Sequence, residues 1–253
     1  MKKICICINA TNIYFILGVR LIKNFTHFYS GSSEITFYTF SDYDISNYIN
    51  KDIKNYTTIT KNANWLDGTN TKFSNILSIR DKILECDYGF YMDADTDVSK
   101  SFCDSDFVGE SVGVEHFANN NGMKTIKAFD RNPLSKAYIP EDTKNYQMYF
   151  QGAFFGGSAK NLINFCVTNY SGQIEDRKIG YEPAVNDESY INHFFHYQPP
   201  SRIIPSHNFP FNTSCKGGIK DTRHSRLPPA LHLEILINNK DKLFNIIEGE
   251  MVF

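Results

Sequence analysis

The chain has 253 residues, 42% of them apolar and 15% aromatic, with a formal net charge of −2. That is enough apolar material for a sizeable core in one large domain, and too little basic charge for a nucleic-acid surface. The apolar run at residues 13–19 is far short of the ~20 residues that cross a bilayer, and no signal-peptide layout precedes it. The six cysteines, Cys5, Cys7, Cys86, Cys103, Cys166 and Cys215, form no C-x-x-C pair, and several lie in apolar runs. They read as buried small hydrophobes in a reducing compartment, so a soluble cytoplasmic protein is expected.

In chain order, residues 2–9 alternate Ile4, Ile6 and Ile8 with Cys5 and Cys7, which predicts a first strand buried on both faces. A small polar turn, Asn9-Ala10-Thr11-Asn12, follows, and apolar residues then recur at helical spacing over 13–29. Strand, turn and helix in this order open a nucleotide-binding α/β layout. Residues 34–40 and 56–60 predict two further strands, and 62–71 a polar link carrying the only tryptophan, Trp65. Phe73, Ile76, Leu77, Arg80, Ile83 and Leu84 form the face of a helix leading into the next strand. That strand, Asp87-Tyr88-Gly89-Phe90-Tyr91-Met92, ends in Asp93-Ala94-Asp95-Thr96-Asp97. If the backbone stays extended there, Asp93 and Asp95 point to one spot beyond the strand end, where open α/β sheets bind ligands.

Past Asp97 the pattern loosens, and residues 118–132 read as irregular or hairpin. Order resumes at Ala137-Tyr138-Ile139-Pro140 and in Gln151-Gly152-Ala153-Phe154-Phe155-Gly156-Gly157-Ser158, a buried strand bracketed by glycines. Ser158 would cap a helix to about residue 170. Asn186-Asp187-Glu188-Ser189 opens another helix, stopped by Pro199-Pro200. The segment beyond Pro205 carries Lys216, Lys220, Arg223 and Arg226 and reads as a tail or lid. No repeat or linker divides the chain.

Each candidate feature has a plainer alternative. Two hard oxygen donors, Asp93 and Asp95, suit a divalent cation that also grips a diphosphate, and equally a solvated acidic turn. Asn9-Ala10-Thr11 fits a nucleotide cradle or an ordinary βα turn. Gly152 and the Gly156-Gly157 pair permit close ligand approach or simply close packing. Glu188 suits catalysis, or merely the positive end of a helix dipole. The basic cluster could clamp a diphosphate or be solvated surface. His193 and His196 form no metal-binding box. The G-x-S-x-G, Walker and G-x-G-x-x-G motifs are absent, which takes the best support from hydrolase, phosphoryl-transfer and dinucleotide readings.

Taken together, Tyr91-Met92-Asp93-Ala94-Asp95, Ala137-Tyr138-Ile139-Pro140, Gly152-Ala153-Phe154-Phe155-Gly156-Gly157 and Asn186-Asp187-Glu188-Ser189-Tyr190-Ile191-Asn192 resemble, in order and spacing, the family 6 glycosyltransferases. This group contains the blood-group A and B transferases and the α-1,3-galactosyltransferase, and the likeness runs from about residue 7 to 206. The resemblance implies a GT-A fold, an α/β architecture with a Rossmann-like mixed sheet flanked by helices. Residues 1–97 would form its nucleotide-binding half, 98–206 its acceptor and catalytic half, and 207–253 a tail or lid.

The same resemblance implies that Asp93 and Asp95, with Ala94 between them, hold Mn²⁺ or another divalent cation against the diphosphate of a UDP-sugar. Microbial relatives with asparagines there work without metal; this chain keeps both aspartates. Asn9, Ala10, Thr11 and Tyr14 fall at the uridine. Trp65 and Asp67 match a Trp-x-Asp element, and Lys72 stands where the family has an arginine near the donor. Glu188 matches the catalytic carboxylate, and Asp187 its neighbour on the donor sugar. His116 is placed at the acceptor, and Gln151, Gly152 and Ala153 on the strand that selects galactose or N-acetylgalactosamine.

The implied reaction is retaining α-1,3 transfer of Gal or GalNAc to a β-galactoside, with or without fucose. It would proceed through a glycosyl carboxylate or by same-face attack. Val185 replaces an acceptor-stacking tryptophan, and Phe211 an acidic residue, which moves the expected acceptor away from the mammalian one. A soluble microbial enzyme acting on a surface-glycan precursor is the implied setting. The competing expectations are a GT-A transferase using another nucleotide-sugar and a carbohydrate-binding relative without catalysis.

Overall fold

The early isoleucine and cysteine alternation becomes strand β1 (Lys3–Asn9), and both of its faces are covered. Ile4, Ile6 and Ile8 pack with helix α1 (Tyr14–Phe28) in one apolar cluster, while Cys5 and Cys7 join a second cluster on the opposite face. Side chains alternate across a strand, so a central strand with helices on both sides must be apolar at every position. The structure, a computed structural model, describes residues 1–12, 14–60, 65–98, 100–116, 129–141, 148–206 and 211–212, with 65–67, 97 and 211–212 as backbone only.

After α1 come β2 (Glu34–Ser41), a short 3₁₀ turn (Ile45–Asn47), β3 (Asn55–Ile59), α2 (Trp65–Asn70), α3 (Lys72–Ser78), α4 (Arg80–Leu84) and β4 (Tyr88–Met92). β5 (Asp97–Val98), α5 (Asp104–Phe107), β6 (Ser111–Glu115), β7 (Phe150–Ser158), α6 (Ala159–Lys178), α7 (Asn186–Tyr197), β8 (Arg202–Ile204) and β9 (Phe211–Asn212) complete the described chain.

Seven strands form one sheet in the order β3-β2-β1-β4-β7-β6-β8. β1 to β4 run parallel, and β7 runs antiparallel to both β4 and β6. This mixed α/β sheet is the architecture expected for a GT-A fold. From β1 the chain winds outward to β2 and β3, then returns to place β4 on the other side of β1. The carboxyl ends of β1 and β4 therefore flank a topological switch point, the crevice where such sheets take ligands.

Several local expectations change. Residues 65–70 are helical rather than a polar link. Asn9 donates from Nδ2 to the Gly68 carbonyl at 3.0 Å, and its Oδ1 accepts from Asn75 at 3.1 Å. Tertiary bonds thus hold a stretch whose Gly68, Asn70 and Thr71 are poor helix formers. The helix expected over 73–84 is two short ones, broken at Ile79 (φ −116°, ψ 21°), and Leu84 is exposed instead of facing the core.

α6 runs on past residue 170 because its inward positions become polar without becoming exposed. Asn169 and Asp176 are buried, and Asp176 accepts from Ser135 Oγ, Lys136 N and Tyr190 Oη, each at 2.8 Å. Ser158 precedes α6 but makes no side-chain cap bond. The Gly156-Gly157 pair serves packing: a Cβ at Gly156 would lie 2.3 Å from Gly89 O, and one at Gly157 2.2 Å from Glu110 O. Among the described residues the cysteines are free thiols, and no helix is long and apolar enough to cross a membrane. Most of 118–132, Cys215 and the basic cluster of Lys216, Lys220, Arg223 and Arg226 lie outside the described residues.

Candidate active site

At the end of β4 the backbone does not stay extended. Asp93 N–H donates to Ala153 O at 2.9 Å, and Thr96 N–H donates back to Asp93 O at 3.0 Å, folding residues 93–96 into a turn. The expectation of an extended run is corrected here, because closing that bond requires the chain to double back. Asp93 and Asp95 remain partly exposed at the rim of the crevice, and Ala94 between them is buried. β5 leaves this turn and pairs with β9, so the chain that enters the C-terminal segment passes directly beside it.

Lys72, the first residue of α3, is the electrostatic centre. Its Nζ lies 3.0 Å from Asp93 Oδ1, 2.8 Å from Asp187 Oδ2 and 3.3 Å from Gly152 O, and 4.9 Å from the centre of the Tyr91 ring. The two carboxylates are ion-pair partners, with Asp187 Oδ2 buried and making no hydrogen bond of its own, and the Gly152 carbonyl accepts a hydrogen bond from the ammonium. Burial works against its charge, but Asp187 and Asp93 outweigh that and hold its pKa above the ordinary lysine value. Tyr91 also donates its hydroxyl to Asp93 Oδ1 at 2.8 Å. Burial, then the neighbouring Asp93, keeps that phenol protonated.

The first turn of α7 brings in the remaining acids. Asn186 sits at φ +43°, a left-handed conformation that asparagine tolerates better than most residues, and turns the chain so that Asp187 and Glu188 face the sheet. Asn192 fastens this helix to β7: its Oδ1 accepts from Phe150 N, and its Nδ2 donates to Phe150 O and Glu188 O, all at 2.8 Å. Glu188 Oε2 accepts the Gly152 N–H at 2.8 Å, yet the side chain keeps partial exposure. Burial pushes the Asp187 carboxyl up to about 6 despite Lys72. It raises Glu188 as well, against the opposing pull of the Gly152 amide and the neighbouring Tyr149 hydroxyl. Asp93, Asp187 and Glu188 thus gather around one ammonium, while among the described residues no group of three or more His, Cys, Asp or Glu side chains is arranged to hold a metal ion.

At Gly152 a side chain on β7 would crowd the acids. A Cβ there would lie 3.1 Å from Asp187 Oδ2 and 3.5 Å from Glu188 Oε2. Gly152→Ala should displace the acids by a few tenths of an ångström, and about a tenfold fall in kcat with nearly unchanged Tm is expected. A wild-type rate would show that this contact does not matter.

Gln151 is buried in β7, and Ala153 is partly exposed beside the aspartate turn. His116 stands just past β6; its N–H donates to Tyr149 O at 2.8 Å and its ring meets the Tyr149 ring edge-on at 5.7 Å. Burial lowers its pKa, which favours the neutral imidazole. Tyr149, buried between His116 and Glu188, links the expected acceptor residue to the expected catalytic one. Across the crevice, Ala10 is buried, Thr11 and Tyr14 are partly exposed, and the Asn9 side chain is spent on α2 and α3.

The structure therefore gathers Lys72, Asp93, Gly152, Asp187 and Glu188, with Asp95 and Ala153 adjoining. The turn at 9–12 sits at the neighbouring strand end, and His116 lies beyond Tyr149. Sequence reasoning missed Tyr91 and Tyr149 as partners of the acids; nothing in their spacing distinguishes them from ordinary core aromatics.

A family model described as Glycosyltransferase family 6 matches residues 5–226. The chain belongs to glycosyltransferase family 6. This family 6 chain is 27% identical over 213 residues to the O-antigen biosynthesis glycosyltransferase WbnI of Escherichia coli, covering 79% of the chain and 87% of WbnI. It is 30% identical over 113 residues to the rat histo-blood group ABO system transferase 1, covering 43% of the chain and 31% of that relative. The chicken globoside alpha-1,3-N-acetylgalactosaminyltransferase 1 is 28% identical over 120 residues, covering 47% of the chain and 34% of that relative. The matches thus span most of the bacterial relative but only about a third of these animal ones. The family match also runs past residue 206 to 226, across the basic cluster at Lys216, Lys220, Arg223 and Arg226.

Proposed function

We propose that this family 6 transferase moves galactose or N-acetylgalactosamine from a UDP-sugar, with retention, into α-1,3 linkage on a β-galactoside, and that it needs a divalent cation. One observation carries the reading: Lys72 ties Asp93, at the rim where a diphosphate would lie, to Asp187, beside the carboxylate that would face the sugar. A site joining those two acids through one buried cation suits a ligand with a diphosphate at one end and a reacting sugar at the other. The name of the chicken relative, a globoside alpha-1,3-N-acetylgalactosaminyltransferase, supports the linkage, and that of WbnI, an O-antigen biosynthesis glycosyltransferase, supports sugar transfer in general.

Asp93 and Asp95 are the residues that would hold the cation. Their donor set fits: two partly exposed carboxylates offer hard oxygens, and Mg²⁺ or Mn²⁺ commonly takes one or two protein carboxylates and completes its shell with phosphate oxygens and water. When bound, such an ion offsets the charge that gathers on departing UDP. The turn at Ala10, Thr11 and Tyr14 would seat the uridine. Glu188, anchored by the Gly152 N–H, supplies negative charge where the anomeric carbon becomes electron-poor. Asp187, held by Lys72, would orient the sugar. His116 would meet the acceptor galactoside, with Gln151, Gly152 and Ala153 bounding the space around the sugar's C2 substituent.

The test offers UDP-Gal, UDP-GalNAc and other nucleotide-sugars with β-galactoside acceptors and Mn²⁺, and determines the product linkage. An α-1,3 product with a UDP-sugar, lost in EDTA and in Asp95→Asn, is the expected outcome. A β-linked product would end the retaining assignment, and undiminished transfer in EDTA would end the metal requirement.

A further inference from the structure

The turn between β1 and α1 is shaped by two side chains from the end of β2 that no motif marks. Asn12 adopts φ +56°, a left-handed conformation that asparagine tolerates better than most residues and that gains support when its N–H is held. That support comes from Asp42, whose two carboxylate oxygens accept the Asn12 N–H at 3.0 and 3.1 Å. One residue earlier, Ser41 donates its hydroxyl to Ala10 O at 2.8 Å and accepts Tyr43 N–H at 3.3 Å, while Ala10 N–H donates to Phe40 O at 2.8 Å. Both ends of Ala10-Thr11-Asn12 are therefore gripped by β2, and the partly exposed Thr11 is presented between them. From there the chain enters α1 at once, since Tyr14 N–H donates to Thr11 O at 3.2 Å and Phe15 N–H to Asn12 O at 3.0 Å.

Packing alone does not require this clasp. α1 is already held against the sheet by Phe15, Ile16, Val19, Ile22 and Phe25, all buried. Ser41 is fully buried, so its hydroxyl must find partners, but Asp42 is only half-buried and its carboxylate could be left to water. Its placement on the amide of a left-handed residue, at the switch point of the sheet, fixes the shape of the turn rather than the seating of the helix.

We propose that Ser41 and Asp42 are positioning residues for the donor nucleoside, holding Ala10-Thr11-Asn12 in the conformation that receives it. This rests on the reading that the turn takes the uridine of UDP. A bent turn would weaken the nucleoside contacts and leave the acceptor contacts around His116, just past β6, unchanged.

The test measures UDP binding by calorimetry, KM for donor and acceptor separately, kcat and Tm, in wild type and in Asp42→Ala, Asp42→Asn and Ser41→Ala. In Asp42→Ala, UDP Kd and donor KM should rise about tenfold, with acceptor KM and kcat within about twofold of wild type. Asp42→Asn, whose carboxamide oxygen still accepts a hydrogen bond, should recover most of that loss. Ser41→Ala should show the same donor-only effect at smaller size, and carries the test should Asp42→Ala fail to fold. UDP affinity in Asp42→Ala within about twofold of wild type would overturn the clasp while leaving the turn as a nucleotide site. Donor and acceptor KM rising together would overturn it as well, since that marks general loosening. Wild-type protein that binds no UDP would remove the underlying reading and the clasp with it.

Discussion

Lys72→Met should cost about 3–5 kcal/mol of folding stability, because removing one partner from a buried ionic cluster leaves the other charges uncompensated. Asp187 is only 4% exposed, and the ammonium is its ion-pair partner at 2.8 Å. Methionine is of similar length and preserves packing, so the change isolates the charge. Without it Asp187 and Glu188, already raised by burial, would hold protons more tightly still. A carboxylate whose folded pKa lies above its unfolded value makes the folded state lose stability as pH rises through that folded pKa. The methionine variant should therefore be markedly more stable near pH 5 than near pH 7, with urea unfolding at both pH values as the measurement.

Transfer should fall at least about 100-fold, since the first turn of α7 loses the contact that holds it to the aspartate turn. Lys72→Arg keeps the charge, in a fork of larger volume, and should recover much of the rate. A methionine variant with wild-type stability and turnover would show that the cluster is incidental.

Why the sequence disclosed so much of the fold and only part of this site follows from what each depends on. β1 and β4 were legible because burial on both faces demands continuous apolar residues, and α1 because its inward face is apolar at 3.6-residue spacing. α2 was not, since Asn9 reaching from another element supplies what Gly68 and Asn70 lack. The second half of α6 was hidden for the complementary reason: Asn169, Gln173 and Asp176 continue the buried stripe with polar side chains, so the apolar period stops while the helix does not. Asp93, Asp187 and Glu188 stood out by motif. Their common partner Lys72 could be placed near the donor only through family likeness, and its bond to two distant acids is a property of the folded sheet. The turn at 93–96 looks extended in the sequence because its closing hydrogen bonds involve backbone atoms, which leave little trace in residue choice. Ser41 and Asp42 were invisible for a similar reason, as Ser-Asp after a strand is ordinary loop composition.

Glu188→Gln should abolish transfer, lowering kcat by about 10³-fold or more, while the protein folds at least as well as wild type. The carboxamide is nearly isosteric, and its oxygen can still accept the Gly152 N–H that anchors Oε2 at 2.8 Å. What would disappear, on the proposed reading, is the negative charge facing the anomeric carbon, which acts in the transition state rather than in donor binding. UDP affinity should therefore change little, separating this variant from Asp42→Ala.

The stability effect has the opposite sign from that of Lys72→Met. Burial raises the Glu188 carboxyl, so its ionised form costs the folded state free energy at neutral pH, and glutamine removes that cost. Wild type should regain ground on the variant as pH falls from neutral through the raised folded pKa, until, below the ordinary 4.5, folded and unfolded chains are both protonated. Denaturation curves at pH 7 and pH 5, alongside single-turnover rates, measure both effects. A glutamine variant that transfers sugar within about tenfold of the wild-type rate would assign the decisive negative charge to Asp187, its buried neighbour.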